Sequence, residues 1–219
     1  MEKLNRYFDH TVLKPEATEA DVTKLCKEAK EYDFFAVCVN SCYVPLAKKL
    51  LDGTSVQVAA VVGFPLGACC TEAKVFETEW ACREGAKEID MVIHVGALKE
   101  KRFDYIKKDI SEVVAAAMEF DAIVKVILET CLLTDEEIVK ACELAKEAGA
   151  AFVKTSTGFS KDGATAHHVA LMKKTVGDEL QVKASGGIRD LAKTLAMIEA
   201  GADRIGASAS VEIYKESMN

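Results

Sequence analysis

Lys154 closes an apolar run, Ala150-Ala151-Phe152-Val153, and is followed by Thr155, Ser156, Thr157 and Gly158. An ammonium at the end of a buried strand is costly unless it is paired or gives up its proton. Two more charged residues sit in runs of the same kind: Lys183 in "LQVKAS" (180–185) and Asp90 in "EIDMVIHV" (88–95). Pointing outward under a helix layer, Lys154 would be a lone charge among apolar side chains. Pointing inward, it can meet Lys183 and Asp90. Desolvation and a neighbouring ammonium both favour the neutral amine, and a neutral amine is the form that adds to a carbonyl carbon to make an imine. The competing reading is a structural ion pair between Asp90 and either lysine. For one isolated pair that reading is the better one; two lysines and an acid on three separate strands favour catalysis. Lys125 and Glu129, in "AIVKVILE" (122–129), are assigned to a buried ion pair or a polar lining, and Cys38, in "FFAVCVN" (34–40), is the thiol placed to line a site.

The loops that follow the late runs are rich in glycine. Gly158 follows the Lys154 run, Gly186-Gly187 follow Lys183, and Gly206 and Ser208 fall in "RIGASAS" (204–210). Glycine lets backbone N–H groups approach an anion without a Cβ in the way, so these loops form a candidate phosphate site. His94 lies at a strand end near the expected mouth. His167-His168 reads as a solvated or capping pair at a helix start, and no Cys/His set has metal spacing, so no metal is expected.

Eight strand-like runs position these residues: 9–13, 34–40, 56–64, 88–95, 122–129, 150–156, 180–185 and 203–208. Amphipathic helical segments separate them, such as 19–32 with Val22, Leu25, Cys26 and Ala29 on one stripe. Thr134 and Glu137 have the spacing of a capping box. Regular alternation in one chain of 219 residues predicts an α/β fold, a (β/α)₈ TIM barrel forming one domain over 1–219. The rival is an open doubly wound sheet, but no G-x-G-x-x-G follows a first strand. A Gly-Ala step recurs before three runs, at Gly85, Gly149 and Gly201. Glycine there is a helix terminator. Equal offsets from it reach Asp90, Lys154 and Gly206, so these residues are expected at similar heights, with Lys183 close by.

Composition narrows the class of protein. The net charge is −7 with no basic block, which argues against nucleic acid as a partner. No apolar run is long enough to span a membrane, and "MEKLNRYFDH" lacks the apolar core of a secretory signal. Eight cysteines without C-x-x-C read as reduced thiols in a cytoplasmic chain.

"DHTVLKP", "FAVCVN", "VVGFPLG", "EIDMVIHVGAL", "KVILET", "FVKTSTGF", "VKASGGIR" and "RIGASAS" occur in this order from Asp9 to Ser210. Together they resemble the successive strand motifs of the deoxyribose-phosphate aldolase family. The resemblance implies a metal-independent class I aldolase without a cofactor. Such an enzyme interconverts 2-deoxy-D-ribose 5-phosphate with D-glyceraldehyde 3-phosphate and acetaldehyde in deoxynucleoside catabolism. It implies Lys154 as the imine-forming lysine and Lys183 with Asp90 as the proton-transfer pair. Gly158, Gly186, Gly187, Gly206 and Ser208 are then the phosphate loops, and Asp9 an acid supporting the polar network. A homo-oligomer is expected, a dimer first. Three features depart from the family pattern. His94 stands where many members carry asparagine, Ala209 where some carry a second serine, and Tyr214 falls in the last helix instead of ending a tail. Two rivals remain open: a transaldolase-like enzyme with another donor, and a phosphosugar-binding barrel that forms no imine.

Overall fold

All eight expected runs become strands, and they close on themselves in sequence order with every neighbouring pair parallel. The computed structural model describes residues 4–218. β1 (Phe8–Thr11) leads to α1 (Glu19–Glu31), β2 (Ala36–Asn40) to α2 (Val44–Leu51), and β3 (Gln57–Val62) to α3 (Thr71–Arg83). β4 (Glu88–Val92) is followed by a short α4 (Val95–Lys99) and then α5 (Phe103–Met118). β5 (Ile123–Ile127) precedes α6 (Asp135–Glu147), and β6 (Phe152–Lys154) precedes α7 (Ala166–Val176). β7 (Gln181–Ser185) and α8 (Leu191–Glu199), then β8 (Arg204–Ala207) and α9 (Ser210–Glu216), complete a (β/α)₈ barrel of one domain.

The helices hold because local signals agree with the apolar stripes. The expected capping box opens α6: Thr134 Oγ1 accepts from the Glu137 N–H at 3.3 Å and Glu137 Oε2 from the Thr134 N–H at 2.8 Å. The recurrent Gly-Ala step stands just past the ends of α3 and α6, where Gly85 and Gly149 adopt positive φ.

The apolar core is mostly outside the barrel. Val22, Leu25, Ile89, Met91, Val124, Val126, Val153 and Val182 fill the layer between strands and helices. Inside, a small apolar group of Leu13, Cys38, Ala59 and Val61 remains. Strand alternation explains the split: Ile89 and Met91 face out, so Glu88 and Asp90 face in, and Val153 and Val182 face out, so Lys154 and Lys183 face in. The register then sets the charged residues side by side. Asp90 pairs with Lys125 across β4–β5, Lys154 with Lys183 across β6–β7, and Lys183 with Arg204 across β7–β8.

Candidate active site

Asp90 is the hub of the barrel interior. Its Oδ2 accepts from both Lys154 Nζ and Lys183 Nζ at 2.8 Å, and its Oδ1 accepts from Lys125 Nζ at 2.8 Å. Lys183 also donates to Asp9 Oδ2 at 2.5 Å. Lys125 lies 2.6 Å from Glu88 Oε2 and 3.4 Å from Asp9 Oδ2. Arg204 Nη1 reaches Asp9 Oδ1 at 2.7 Å and Glu88 at 3.4 Å, with its guanidinium over the Phe35 ring. The cluster thus sets three carboxylates against four basic groups, all buried. One neutral base would balance it. Lys125, Lys183 and Arg204 each touch two or more carboxylates, whereas among the described residues the ion-pair contacts of Lys154 are with Asp90 alone.

Titration follows that asymmetry. Burial pushes the Lys154 pKa down; Asp90 opposes the shift, and the Lys183 ammonium adds to it. Burial also works against the charge on Lys183, but Asp9 and Asp90 overcome it and raise its pKa. Lys125 is raised well above its ordinary value in the same way, by Asp90, Glu88 and Asp9 against burial. Burial opposes ionisation of Asp90 too, yet Lys125, Lys154 and Lys183 hold it well below the usual carboxylate range. Asp9 is likewise held low against burial, by Lys183, Lys125 and Arg204. Of the four bases, Lys154 is the one whose environment favours the neutral form. Cys38 joins the cluster at 3.9 Å from Asp90 Oδ2, and burial pushes its thiol up.

Lys154 also meets the outside. A cavity of about 400 Å³ opens at the C-terminal ends of the strands, with Lys154 in its wall beside Gly158, Gly186, Gly187, Gly206 and Ser208. Asp90 and Lys183 lie wholly buried beneath it. The hydroxyls after Lys154 shape this wall. Thr155 Oγ1 donates to Ser185 O at 3.0 Å and accepts from Ser185 N at 3.1 Å, tying the end of β6 to β7. Gly186 has φ of +85°, and its backbone lies so close to Gly163 that a Cβ on Gly163 would sit 2.1 Å from Gly186 O. Among the described residues, none receives a hydrogen bond from the N–H of Gly158, Gly186 or Gly187. Three backbone donors therefore remain free along one side of the cavity.

Several expectations change in detail. Gly206 lies within β8 instead of in the loop beyond it, and a Cβ there would meet Lys183 Cε and Ser185 Cβ at 3.0 Å. Its first effect is to make room for Lys183. Glu129 forms no ion pair among the described residues; its carboxylate accepts from Thr157. The Asp190 carboxylate caps α8 by accepting from Lys193 N at 2.7 Å, so that helix end is occupied from within the chain. His94 caps α4, accepting from Ala97 N at 3.1 Å, and is not in the cavity wall. His167 pairs with Asp135 at 2.7 Å, and Thr165 caps α7. Asp135, His167 and His168 bring ligand atoms within 4.8 Å of one another, but at the N-terminal ends of two helices, whose dipoles oppose a cation. Tyr214 packs on Tyr32 and Phe34.

Four residues of the site escaped the sequence reading. Glu88 stands two residues before Asp90, and Arg204 two before Gly206, so strand alternation puts each on the inner face. That period was the available signal. Lys14 and Arg189 are cations in the cavity wall, and only the loop paths reveal them.

A closed parallel barrel with a desolvated lysine in the wall of its mouth cavity defines a class: barrels equipped to form an imine with a carbonyl compound. A family model described as "DeoC/LacD family aldolase" matches residues 4–216. The chain belongs to that family and is an aldolase, a carbon–carbon lyase. The deoxyribose-phosphate aldolase of Clostridium novyi (strain NT) is 62% identical over 212 residues, covering 97% of this chain and 95% of that protein. Its counterpart in Thermococcus kodakarensis is 60% identical over 215 residues, covering 97% and 96%. Among solved structures, a putative deoxyribose-phosphate aldolase from Coccidioides immitis superposes with a TM-score of 0.97 at 45% identity, covering 100% of this chain and 88% of that one. The tetrameric deoxyribose phosphate aldolase from Aeropyrum pernix gives 0.93 at 33% identity, covering 99% and 91%.

Proposed function

We propose that this aldolase reversibly cleaves 2-deoxy-D-ribose 5-phosphate to D-glyceraldehyde 3-phosphate and acetaldehyde through an imine on Lys154. The observation that carries the reading is the pairing of opposite shifts on one carboxylate: Lys154 depressed and Lys183 raised, both 2.8 Å from Asp90 Oδ2. One amine is thereby suited to attack and the other to hold a proton.

Neutral Lys154 adds to C1 of the open-chain sugar, and the adduct loses water to give a protonated imine, with Lys183 as the proton source. The imine draws electrons from the C2–C3 bond. As the C3 hydroxyl gives its proton to the Asp90–Lys183 pair through one water, that bond breaks and glyceraldehyde 3-phosphate leaves. The remaining two-carbon enamine takes a proton at C2, and hydrolysis frees acetaldehyde and Lys154. Asp9, Lys125, Glu88 and Arg204 keep the pair charged and in place; Cys38 fills the apolar side of the cluster.

The phosphate belongs against Gly158, Gly186, Gly187 and Ser208, which line the cavity beside Lys14 and Arg189, the three glycines with N–H groups that no described residue accepts. A chain of net charge −7 repels an anion at long range, so a local donor set is needed. A cytoplasmic setting in deoxynucleoside catabolism belongs to the same reading, supported by eight unpaired thiols. A homodimer is the assembly we put forward; exposed Phe76 and Met118 are apolar surface for it to cover.

The deciding assay follows deoxyribose 5-phosphate consumption with both products measured. Equimolar acetaldehyde and glyceraldehyde 3-phosphate, and condensation with acetaldehyde as sole donor, are expected. A requirement for a ketose donor would give a transaldolase-like enzyme, and binding without turnover a phosphosugar-binding barrel. Arg189→Ala should raise KM for the phosphorylated sugar and leave unphosphorylated deoxyribose almost unaffected; equal losses on both would remove the phosphate assignment.

A further inference from the structure

Glu129 follows β5, buried, with a left-handed backbone at φ 58° and ψ 60°. A side chain in that region costs of order 1 kcal/mol or more and persists where the surroundings demand it. The demand here comes from Thr157, 28 residues later. The Thr157 N–H points at both carboxylate oxygens of Glu129, at 3.3 and 3.4 Å, and the Thr157 hydroxyl donates to Oε2. The same hydroxyl oxygen accepts from the Phe159 N–H at 3.0 Å. Phe159 in turn meets the Phe64 ring edge-on, with centroids 5.3 Å apart. Thr157, Gly158 and Phe159 all line the mouth cavity, together with Lys154, and none of the three belongs to the ion-pair cluster.

We infer that Glu129 is a positioning residue. Its carboxylate holds the Thr157–Phe159 segment in its substrate-binding path, aiming the Gly158 N–H into the cavity and setting Phe159 against Phe64. The reason is a matter of acceptors. A carboxylate can accept from the Thr157 N–H and hydroxyl together, leaving that hydroxyl's lone pairs for the Phe159 N–H. A glutamine with its Oε1 in the place of Oε2 can still accept from both Thr157 groups, but only as a neutral acceptor, and its NH₂ group replaces the oxygen that now faces the Thr157 N–H at 3.3 Å. The substrate side of this inference rests on the phosphate lying at Gly158, as proposed above; the coupling of Glu129 to Thr157 does not.

The test uses the full chain with Glu129→Gln, Thr157→Val, the double variant and Thr157→Ser. Each of the first two should raise KM for deoxyribose 5-phosphate about tenfold or more, the usual effect of losing a hydrogen bond to a charged group. kcat should stay within about threefold, because Lys154 and its partners are untouched. The double variant should be no worse than the poorer single one, since both break the same link. Thr157→Ser should retain the wild-type KM, and borohydride trapping with acetaldehyde alone should proceed at the wild-type rate in every variant. Additive losses, a fall in kcat at constant KM, or a Thr157→Ser defect equal to that of Thr157→Val would overturn the inference. Should Glu129→Gln fail to fold, Thr157→Val against Thr157→Ser still decides it. A failure of the phosphate reading is seen separately, as a wild-type enzyme that handles phosphorylated and unphosphorylated deoxyribose alike while the coupling persists.

Discussion

Replacing Lys183 with methionine removes a charge from beside Lys154 and leaves the fold's apolar layer intact. Both Nζ atoms lie 2.8 Å from the same oxygen of Asp90, so they are at most about 5.6 Å apart. At an effective dielectric constant of about 20, two like unit charges at that distance repel by about 3 kcal/mol, equivalent to about two pKa units. The sign follows from the partners. Without Lys183, Asp90 has fewer cations to satisfy and stabilises an ammonium on Lys154 more strongly; the opposing like charge is gone as well. The Lys154 pKa should therefore rise by about two units, and below it the neutral fraction should fall about a hundredfold. The assay is rapid mixing with acetaldehyde and borohydride across a pH series, with the trapped fraction counted by intact mass. In Lys183→Met the rising limb of imine formation should move to higher pH by that amount. A limb that stays where the wild type has it would refute the electrostatic reasoning, even if turnover were lost.

Asp90→Asn should leave three buried amines without their shared partner; we expect a stability loss of about 3 kcal/mol or more in urea unfolding, turnover nearly abolished, and trapping with acetaldehyde partly retained. Asp9 and Asp90 have depressed pKa values in the fold, so their stabilisation is fully present above the unfolded carboxylate value of about 4 and is lost as pH falls below it. Urea midpoints should accordingly begin to drop near pH 5 and keep falling to about pH 1, and Asp9→Asn should flatten the drop. Iodoacetamide should modify exposed Cys42, Cys69 and Cys70 before buried Cys38 and Cys142, the last with its thiol pushed up to about 12 by burial; early labelling of Cys38 in peptide maps would contradict its place under the cavity.

The three residues that opened the sequence reading meet because their strands start from similar points. A glycine ends the helix before β4 and again before β6, and the count from that glycine to Asp90 or Lys154 is the same. Strand alternation then settled which face each occupies. The extent of the strands was less legible: 150–156 yields only Phe152–Lys154, because past Lys154 the Ser185 N–H of β7 goes to the Thr155 hydroxyl instead of the Thr155 carbonyl. Arg204 and Glu88 were missed because charged residues at strand starts look like solvated ends, and only closure of the barrel brings β8 beside β1. Of the two roles read for Glu129, the buried ion pair is absent among the described residues, and its carboxylate meets Thr157 instead. Its left-handed backbone turns it toward Thr157, and nothing in "KVILET" announces that turn. Lys14 and Arg189 depend on loop paths, which carry no period to count.

The central claim is that Lys154 is the amine that forms the imine. Incubation with deoxyribose 5-phosphate, reduction with borohydride, and peptide mass mapping test it directly. The account predicts irreversible inactivation with a reduced adduct, of the five-carbon sugar phosphate or of its two-carbon fragment, on the peptide containing Lys154, and none on those containing Lys125 or Lys183. An adduct on another lysine, or full activity after reduction in the presence of substrate, would contradict it.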